Sequence, residues 1–420
     1  MKACSKYLFF ILLLAVLAWC SAVSASAEGT AAEKAALFQN PKGRVMSAAN
    51  KGDWHAFPEN SVPAIQSAAQ KGADIVKIDI RQTKDGTLVL FADETVNRMC
   101  YPTPQATTYL KDLTFEQLSQ YTLRSKQGDA LSQNTEYKVP TLEQALASSD
   151  TVLFMLDFDW GIRSAVYEAV KESGKLGSVI FLTRTSAKNA AEWRGSISEN
   201  IMTMGYHKSN VVFLATSYVK NYLNGGDAVW LATKNPYGMN FQKVVTGLFE
   251  AKGRAVASPA MPELCGRKTD CETWWNDLVA RGFSVIITDY PAELSAFIQK
   301  SLAATEKLAQ LNEHVNTAFH LPEIQADIFT QYKRNFNAAK SKADTLLSRG
   351  FAGEQELDEA YYSLQRAMDD VERNFSELQK GKSGLTLSTG RVLVAILAAA
   401  AVVSAQVYTH KKMKKPKAAN

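Results

Sequence analysis

Between Arg44 and Lys300, short apolar runs rich in β-branched residues recur eight times, with helical segments between most of them. They fall near Val45–Ala49, Ile75–Ile80, Val152–Phe158, Val179–Thr183, Ile201–Tyr206, Val229–Ala232, Ala255–Ala257 and Ser284–Thr288. The run from Asp74 to Ile80 is almost continuously apolar, as a strand buried on both faces requires. Segments such as Leu142–Ser148, Arg163–Ser173 and Thr273–Arg281 supply helices between the strands. Eight strand–helix units are what a closed parallel (β/α)8 TIM barrel needs. Reactive groups in that fold lie at the C-terminal ends of strands and in the loops that follow. Asn50, Asp79, Asp157 and Asp289 all fall at such positions.

The most informative stretch is Val45 to Arg98, which reads as strand, loop, helix, strand, turn, strand. The loop carries Pro58-Glu59-Asn60-Ser61, where Asn60 or Ser61 can cap a helix over Val62 to Lys71. Gly72 closes that helix, and Lys84-Asp85-Gly86 is a turn signal ahead of a strand from Thr87 to Phe91.

Several elements of this stretch match one family in order and spacing. Gly52, Pro58-Glu59-Asn60, Gly72-Ala73-Asp74, Asp79, Thr83-Lys84-Asp85-Gly86, Asp93 and Arg98 are followed by Val139-Pro140-Thr141-Leu142-Glu143 and Ile286-Ile287-Thr288-Asp289-Tyr290-Pro291. The chain thereby resembles the glycerophosphodiester phosphodiesterase family, within the phospholipase C-like phosphodiesterases, over about Arg44 to Lys300. The resemblance implies a phosphoric diester hydrolase of lipid and glycerophosphodiester metabolism, with two histidines as general acid and base and a divalent cation held by acidic side chains.

The residues that would carry this chemistry are replaced. Asn50 and Lys51 stand where the resemblance places His-Arg, Ala92 where it places the second histidine, and Lys77 where it places the Glu of the metal pair. Asp79 and Asp157 match the remaining acidic positions, and Asp159 stands where a Lys or Glu partner often follows. Side chains alternate along a strand, so Lys77 and Asp79 share a face. A lysine there repels a cation, and its ammonium is expected to bridge Asp79 and Asp157 in the metal's place. Asn50 hydrogen-bonds but does not transfer protons near neutral pH, and Ala92 does neither.

These replacements predict a pseudoenzyme that still binds a phosphodiester or polyol-phosphate ligand, or a protein partner, through Lys51, Glu59, Lys77, Asp79 and Asp157. Lys51 keeps a positive charge without the bidentate fork of arginine, and Glu59 and Asn60 are expected to shape the first loop. No cofactor is expected, with Ca²⁺ or Mg²⁺ required if the chain is active. Active would mean a metal-dependent phosphodiesterase with its acid–base work moved to His55 or His207; the plainer reading makes both solvated loop histidines. Lys208 and Lys234 read as ordinary surface lysines, and Trp274 and Trp275 as packing residues. A third possibility is a purely structural surface protein in which the barrel is a spacer.

The ends of the chain point to a membrane. Residues 1–27 read as a secretory signal, with Lys2 and Lys6, an apolar run from Tyr7 to Trp19 and a small-residue Ala25-Ser26-Ala27 site; the alternative is an uncleaved anchor. Residues 392–408 carry no charge and precede Lys411-Lys412-Met413-Lys414-Lys415, which predicts a transmembrane helix, short for its kind, with a cytoplasmic tail at 409–420. Together they predict a single-pass type I cell-surface protein with an extracellular barrel at 40–300. Residues 301–380 lose the strand signals and predict helices from Leu302, over Ile324–Leu347 and over Glu354–Leu378, before a Gly/Ser/Thr linker at 381–391. This segment resembles FIVAR-type modules of Gram-positive surface proteins, and the plainer reading is a three-helix stalk. Of the cysteines left after cleavage, Cys265 and Cys271 are expected to pair and Cys100 to stay free and buried. The net charge of +5, partly in the basic tail, gives no argument for nucleic-acid binding.

Overall fold

A computed structural model describes residues 29–40, 43–208, 221–223, 226–232, 253–257, 270–319, 330–350 and 352–380. The predicted signal, transmembrane helix, linker and tail, and also Lys234 and Cys265, lie outside the described residues. Among the described residues no helix is long and apolar enough to cross a membrane.

In chain order the strands are β1 (Met46–Asn50), β2 (Ile75–Gln82), β3 (Leu88–Leu90), β4 (Cys100–Tyr101), β5 (Thr122–Leu123), β6 (Leu153–Phe158), β7 (Val179–Thr183), β8 (Met202–Lys208), β9 (Ala228–Ala232), β10 (Arg254–Ala257) and β11 (Val285–Thr288). The parallel order β2-β6-β7-β8-β9-β10-β11-β1 closes through the β1–β2 pairing into an eight-stranded barrel. β3 adds antiparallel to β2 outside the ring, and β4 pairs with β5 in a small separate lobe. The barrel strands begin and end within a residue or two of the apolar runs that predicted them, because a strand buried on both faces leaves an unmistakable sequence signal.

The principal helices are α1 (Ala31–Gln39), α2 (Val62–Gln70), α3 (Leu142–Leu146), α4 (Arg163–Glu172), α5 (Ala187–Gly195), α6 (Glu272–Ala280), α7 (Pro291–Phe319), α8 (Thr330–Arg349) and α9 (Glu354–Lys380). Ser61, rather than Asn60, caps α2 by accepting from the Ala64 N–H. Two apolar layers hold the barrel. An inner one includes Met46, Ile75, Met155, Met204, Trp230 and Ile287, and an outer one joins strands to helices through residues such as Ile65, Val76, Phe154 and Phe181.

α1 covers the base of the barrel, with Phe38 fully buried. Its C-terminus is closed by Arg254 of β10, whose guanidinium donates to the carbonyls of Leu37, Phe38, Asn40, Arg44 and Ser284. One arginine thus satisfies carbonyls that the helix end leaves without partners.

After β11 the chain enters α7, a 29-residue helix that begins against the barrel and continues into a three-helix bundle with α8 and α9. Leu308, Leu311, Val315, Phe336, Leu346, Leu357 and Leu364 form its core. The helix runs unbroken past residue 300 because its apolar face passes directly from the barrel residues Leu294 and Phe297 to the bundle residues Ala304 and Leu308. Trp274 and Trp275 of α6 are buried, as expected. Cys100 is buried, which pushes its thiol up to about 12, and Cys271 is an exposed free thiol.

Candidate functional site

The loop after β1 is tightly specified. Lys51, Gly52 and Asn60 all have positive φ, at 62°, 79° and 55°. At Gly52 an added Cβ would lie 2.7 Å from the Ala64 carbonyl carbon, so the position admits only glycine. The Lys51 N–H donates to the Lys77 carbonyl at 2.7 Å, and the Asn60 N–H donates back to the Lys51 carbonyl at 3.0 Å. The Asn60 side chain then donates to Asp79 Oδ2 and accepts from the Asp79 N–H, both at 3.0 Å. Left-handed, non-glycine backbone held in place by its surroundings is typical of functional loops.

Lys77 projects from β2 with its side chain 2% exposed. Its Nζ lies 2.5 Å from Asp79 and 3.1 Å from Asp157, the geometry expected of an ammonium between two carboxylates. Burial alone pushes the lysine pKa down, but Asp79 and Asp157 outweigh it and hold the ammonium above the ordinary value. Burial likewise opposes ionisation of Asp79, yet Lys77 and Lys51 hold its carboxyl below the usual range. Asp157 behaves the same way under Lys77 and Arg184. Arg184, just after β7, grips Asp157 with two hydrogen bonds of 2.7 Å and lies over the Tyr206 ring at 4.2 Å. Lys77, Asp79, Asp157 and Arg184 therefore form a closed set of two cations and two carboxylates.

A second closed set stands beside the first. Lys51 Nζ is 3.0 Å from Glu59, Glu59 is 2.5 Å from Arg98, and Arg98 is 2.6 Å from Asp93. Glu59 is buried between the two cations, where it holds the loop rather than facing a ligand. Ala92 offers only its backbone carbonyl, which accepts from Arg81.

The third corner is not closed. Asp289 Oδ1, just past β11, accepts from Asn50 Nδ2 at 3.0 Å and from Trp54 Nε1 at 2.8 Å. Burial outweighs these donors and raises the Asp289 pKa. Asn50 is 4% exposed, and its Oδ1 has no hydrogen-bond partner. His55 is exposed and stacks between Trp54 at 3.8 Å and the exposed Tyr290 at 4.8 Å. Below, Asp270 accepts from the Asp289 N–H, the Thr288 hydroxyl and Trp275 Nε1. His207, near the end of β8, is half-buried, and burial lowers its pKa. Lys208 is exposed at the end of β8, and Asp159 caps the turn after β6.

Comparison with known proteins places the barrel. Residues 51–229 match the model of the glycerophosphoryl diester phosphodiesterase family. Over those residues the barrel is similar to that family. Human glycerophosphodiester phosphodiesterase 1 is 40% identical over 108 residues, which cover 26% of this chain and 31% of the human protein. YqiK of Bacillus subtilis is 24% identical over 261 residues, 60% of this chain and 97% of that protein. A glycerophosphoryl diester phosphodiesterase structure from Parabacteroides distasonis superposes with a TM-score of 0.52 at 20% identity, covering 65% of this chain and 93% of that one. The matched segment thus spans about a third of the human relative's length.

Does the donor set fit the divalent cation that the family resemblance implies? It does not. An ammonium already satisfies the two facing carboxylates, and a cation between them would meet its charge at close range. Asn50, Lys51, Lys77, Asp79, Asp157 and Asp289 are brought to one mouth, each on or just after a barrel strand. Sequence reasoning missed Arg184 and Trp54. Arg184 directly follows β7, a position that itself marks it as mouth-facing. Trp54 carried no signal beyond lying in the first loop.

Proposed function

We propose that this chain is a surface-anchored relative of the glycerophosphodiester phosphodiesterases whose barrel binds a phosphodiester or polyol-phosphate ligand, or a protein partner, without turnover. One observation carries this reading: the Lys77 ammonium lies between Asp79 and Asp157. The same mouth presents Asn50 and Ala92 where the family resemblance calls for proton-transferring histidines. Each positioned acid or base is worth typically 10²–10⁴-fold in rate, so the loss of both removes most of the expected catalysis. The surface anchor rests on the sequence of residues 1–27 and 392–408. The three-helix bundle serves as a stalk; a FIVAR-like role rests on the sequence alone.

A second reading has one observation in its favour. His55 is exposed at the mouth beside Asp289, a histidine–carboxylate neighbourhood from which acid–base catalysis could be rebuilt. Turnover separates the two. The full chain is incubated with glycerophosphocholine and glycerophosphoglycerol, with and without Ca²⁺ or Mg²⁺, beside a variant carrying Asn50→His, Lys77→Glu and Ala92→His. A silent wild type and an active variant support the proposal. Wild-type turnover abolished by His55→Ala would establish the second reading.

A further inference from the structure

Among the described residues of the barrel mouth, four carboxylates are neutralised by cations. Asp79 and Asp157 are paired with Lys77 and Arg184, and Glu59 and Asp93 with Lys51 and Arg98. Asp289, by contrast, has only neutral hydrogen-bond donors on its carboxylate, the Asn50 amide and the Trp54 indole, and both go to Oδ1. His55 and, less, Lys51 are close enough to favour its ionised form, but neither hydrogen-bonds to it and the Lys51 ammonium is held by Glu59.

An independent observation points to the same corner. Asn50 Oδ1 is a buried acceptor without a partner. It hangs on the same carbon as the Nδ2 that reaches Asp289, so the vacant acceptor lies within one amide group of that carboxylate. A buried acceptor left unsatisfied is costly, and an entering donor recovers that cost. The unused capacity here is therefore acceptor capacity plus one negative charge, walled by the Trp54–His55–Tyr290 stack. Lys51, Lys77, Arg98 and Arg184, by contrast, are already engaged by carboxylates.

We infer that this corner binds a protonated primary amine, with the ammonium donating to Asp289 and Asn50 Oδ1 beside the aromatic stack. A primary ammonium is compact and carries three donors, which suits an acceptor in a residue only 4% exposed. A quaternary ammonium has no N–H to give, and a guanidinium is a broad planar fork. The inference deepens the binding reading above, since it names the head group of a ligand held at the same mouth.

Calorimetric titration of the full chain tests it, with glycerophosphoethanolamine, glycerophosphocholine, glycerophosphoglycerol, ethanolamine and sn-glycerol 3-phosphate as probes. Glycerophosphoethanolamine is expected to bind about tenfold more tightly than either the choline or the glycerol diester, a factor worth 1.4 kcal/mol. Asp289→Asn and, separately, Asn50→Val should each erase that preference. Thermal unfolding checks that both variants fold; should both fail to fold, the wild-type preference among the three diesters decides alone. Equal binding of the three diesters overturns this inference and leaves the phosphate-binding reading standing. Binding of ethanolamine without sn-glycerol 3-phosphate does the reverse. No binding of any probe overturns both.

Discussion

Two of the cations buried among the described residues, Arg254 at the base of the barrel and Lys77 at its mouth, are treated in opposite ways. At the base, Arg254 is surrounded by five backbone carbonyls; burial and the neighbouring Arg44 pull its pKa down to about 9, leaving it a cation at neutral pH. At the mouth, Lys77 is surrounded by carboxylates that overcome burial and raise its pKa. Dipoles suffice where the cation only ties a helix end to a strand. Full negative charges gathered at the mouth call for a full positive charge, and in the absence of a metal-fitting donor set Lys77 provides it. The base ties a helix to the sheet, and the mouth balances charge.

Substitution at the mouth should have the largest effect. Lys77→Met leaves Asp79 and Asp157 facing each other without their shared counterion, and should lower unfolding free energy by about 3–5 kcal/mol in denaturant titration. Adding Asp79→Leu, Asp157→Leu and Arg184→Leu to Lys77→Met should recover most of that loss, because an apolar set then carries no stranded charge. At the base, Arg254→Met should cost less, about 2–3 kcal/mol, since only neutral carbonyls are stranded. A larger loss at Arg254 than at Lys77 would reverse the comparison.

The pH dependence sharpens the same contrast. Asp79 and Asp157 have depressed folded pKa values, so their stabilisation is present above the ordinary aspartate value of about 4 and is lost as pH falls through the folded values. Lys77 is raised, so its stabilisation is present below the ordinary lysine value of about 10.4 and is lost as pH rises through the folded value. Wild-type stability should therefore hold from about pH 4 to pH 10 as far as this set is concerned. Lys77→Met should flatten the acid limb, and Arg254→Met should leave it unchanged. The smallest effect is expected for Lys51→Gly. It gives up the part-buried Lys51–Glu59 pair, with Arg98 still holding Glu59, but relieves a left-handed backbone worth about 1–2 kcal/mol, so its net change in a thermal melt should stay within about 1 kcal/mol.

The barrel was legible because parallel strands are continuous apolar runs, and β2, β6 and β7 show this plainly. The Lys77 bridge was legible because alternation along β2 puts residues 77 and 79 on one face, and the adjacent β6 brings Asp157 opposite Asp79. Arg184 was not legible as the second cation on Asp157, since its reach from the end of β7 depends on side-chain packing over Tyr206. Nor was the open corner: Asp289 meets Asn50 and Trp54 only when ring closure places β11 beside β1. The run of α7 through residue 300 was hidden because a change in composition marks where the strands stop, not where a helix does.

The most direct test of the central claim is calorimetric titration of Ca²⁺ and of Mg²⁺ into the full chain and into its Lys77→Glu variant. With Lys77 between the carboxylates, the wild type should take up neither ion at the mouth, and Lys77→Glu, which turns an ammonium into a third carboxylate, should bind one. Binding of either ion by the wild type, abolished by Asp157→Ala, would contradict the claim that the ammonium stands in the cation's place.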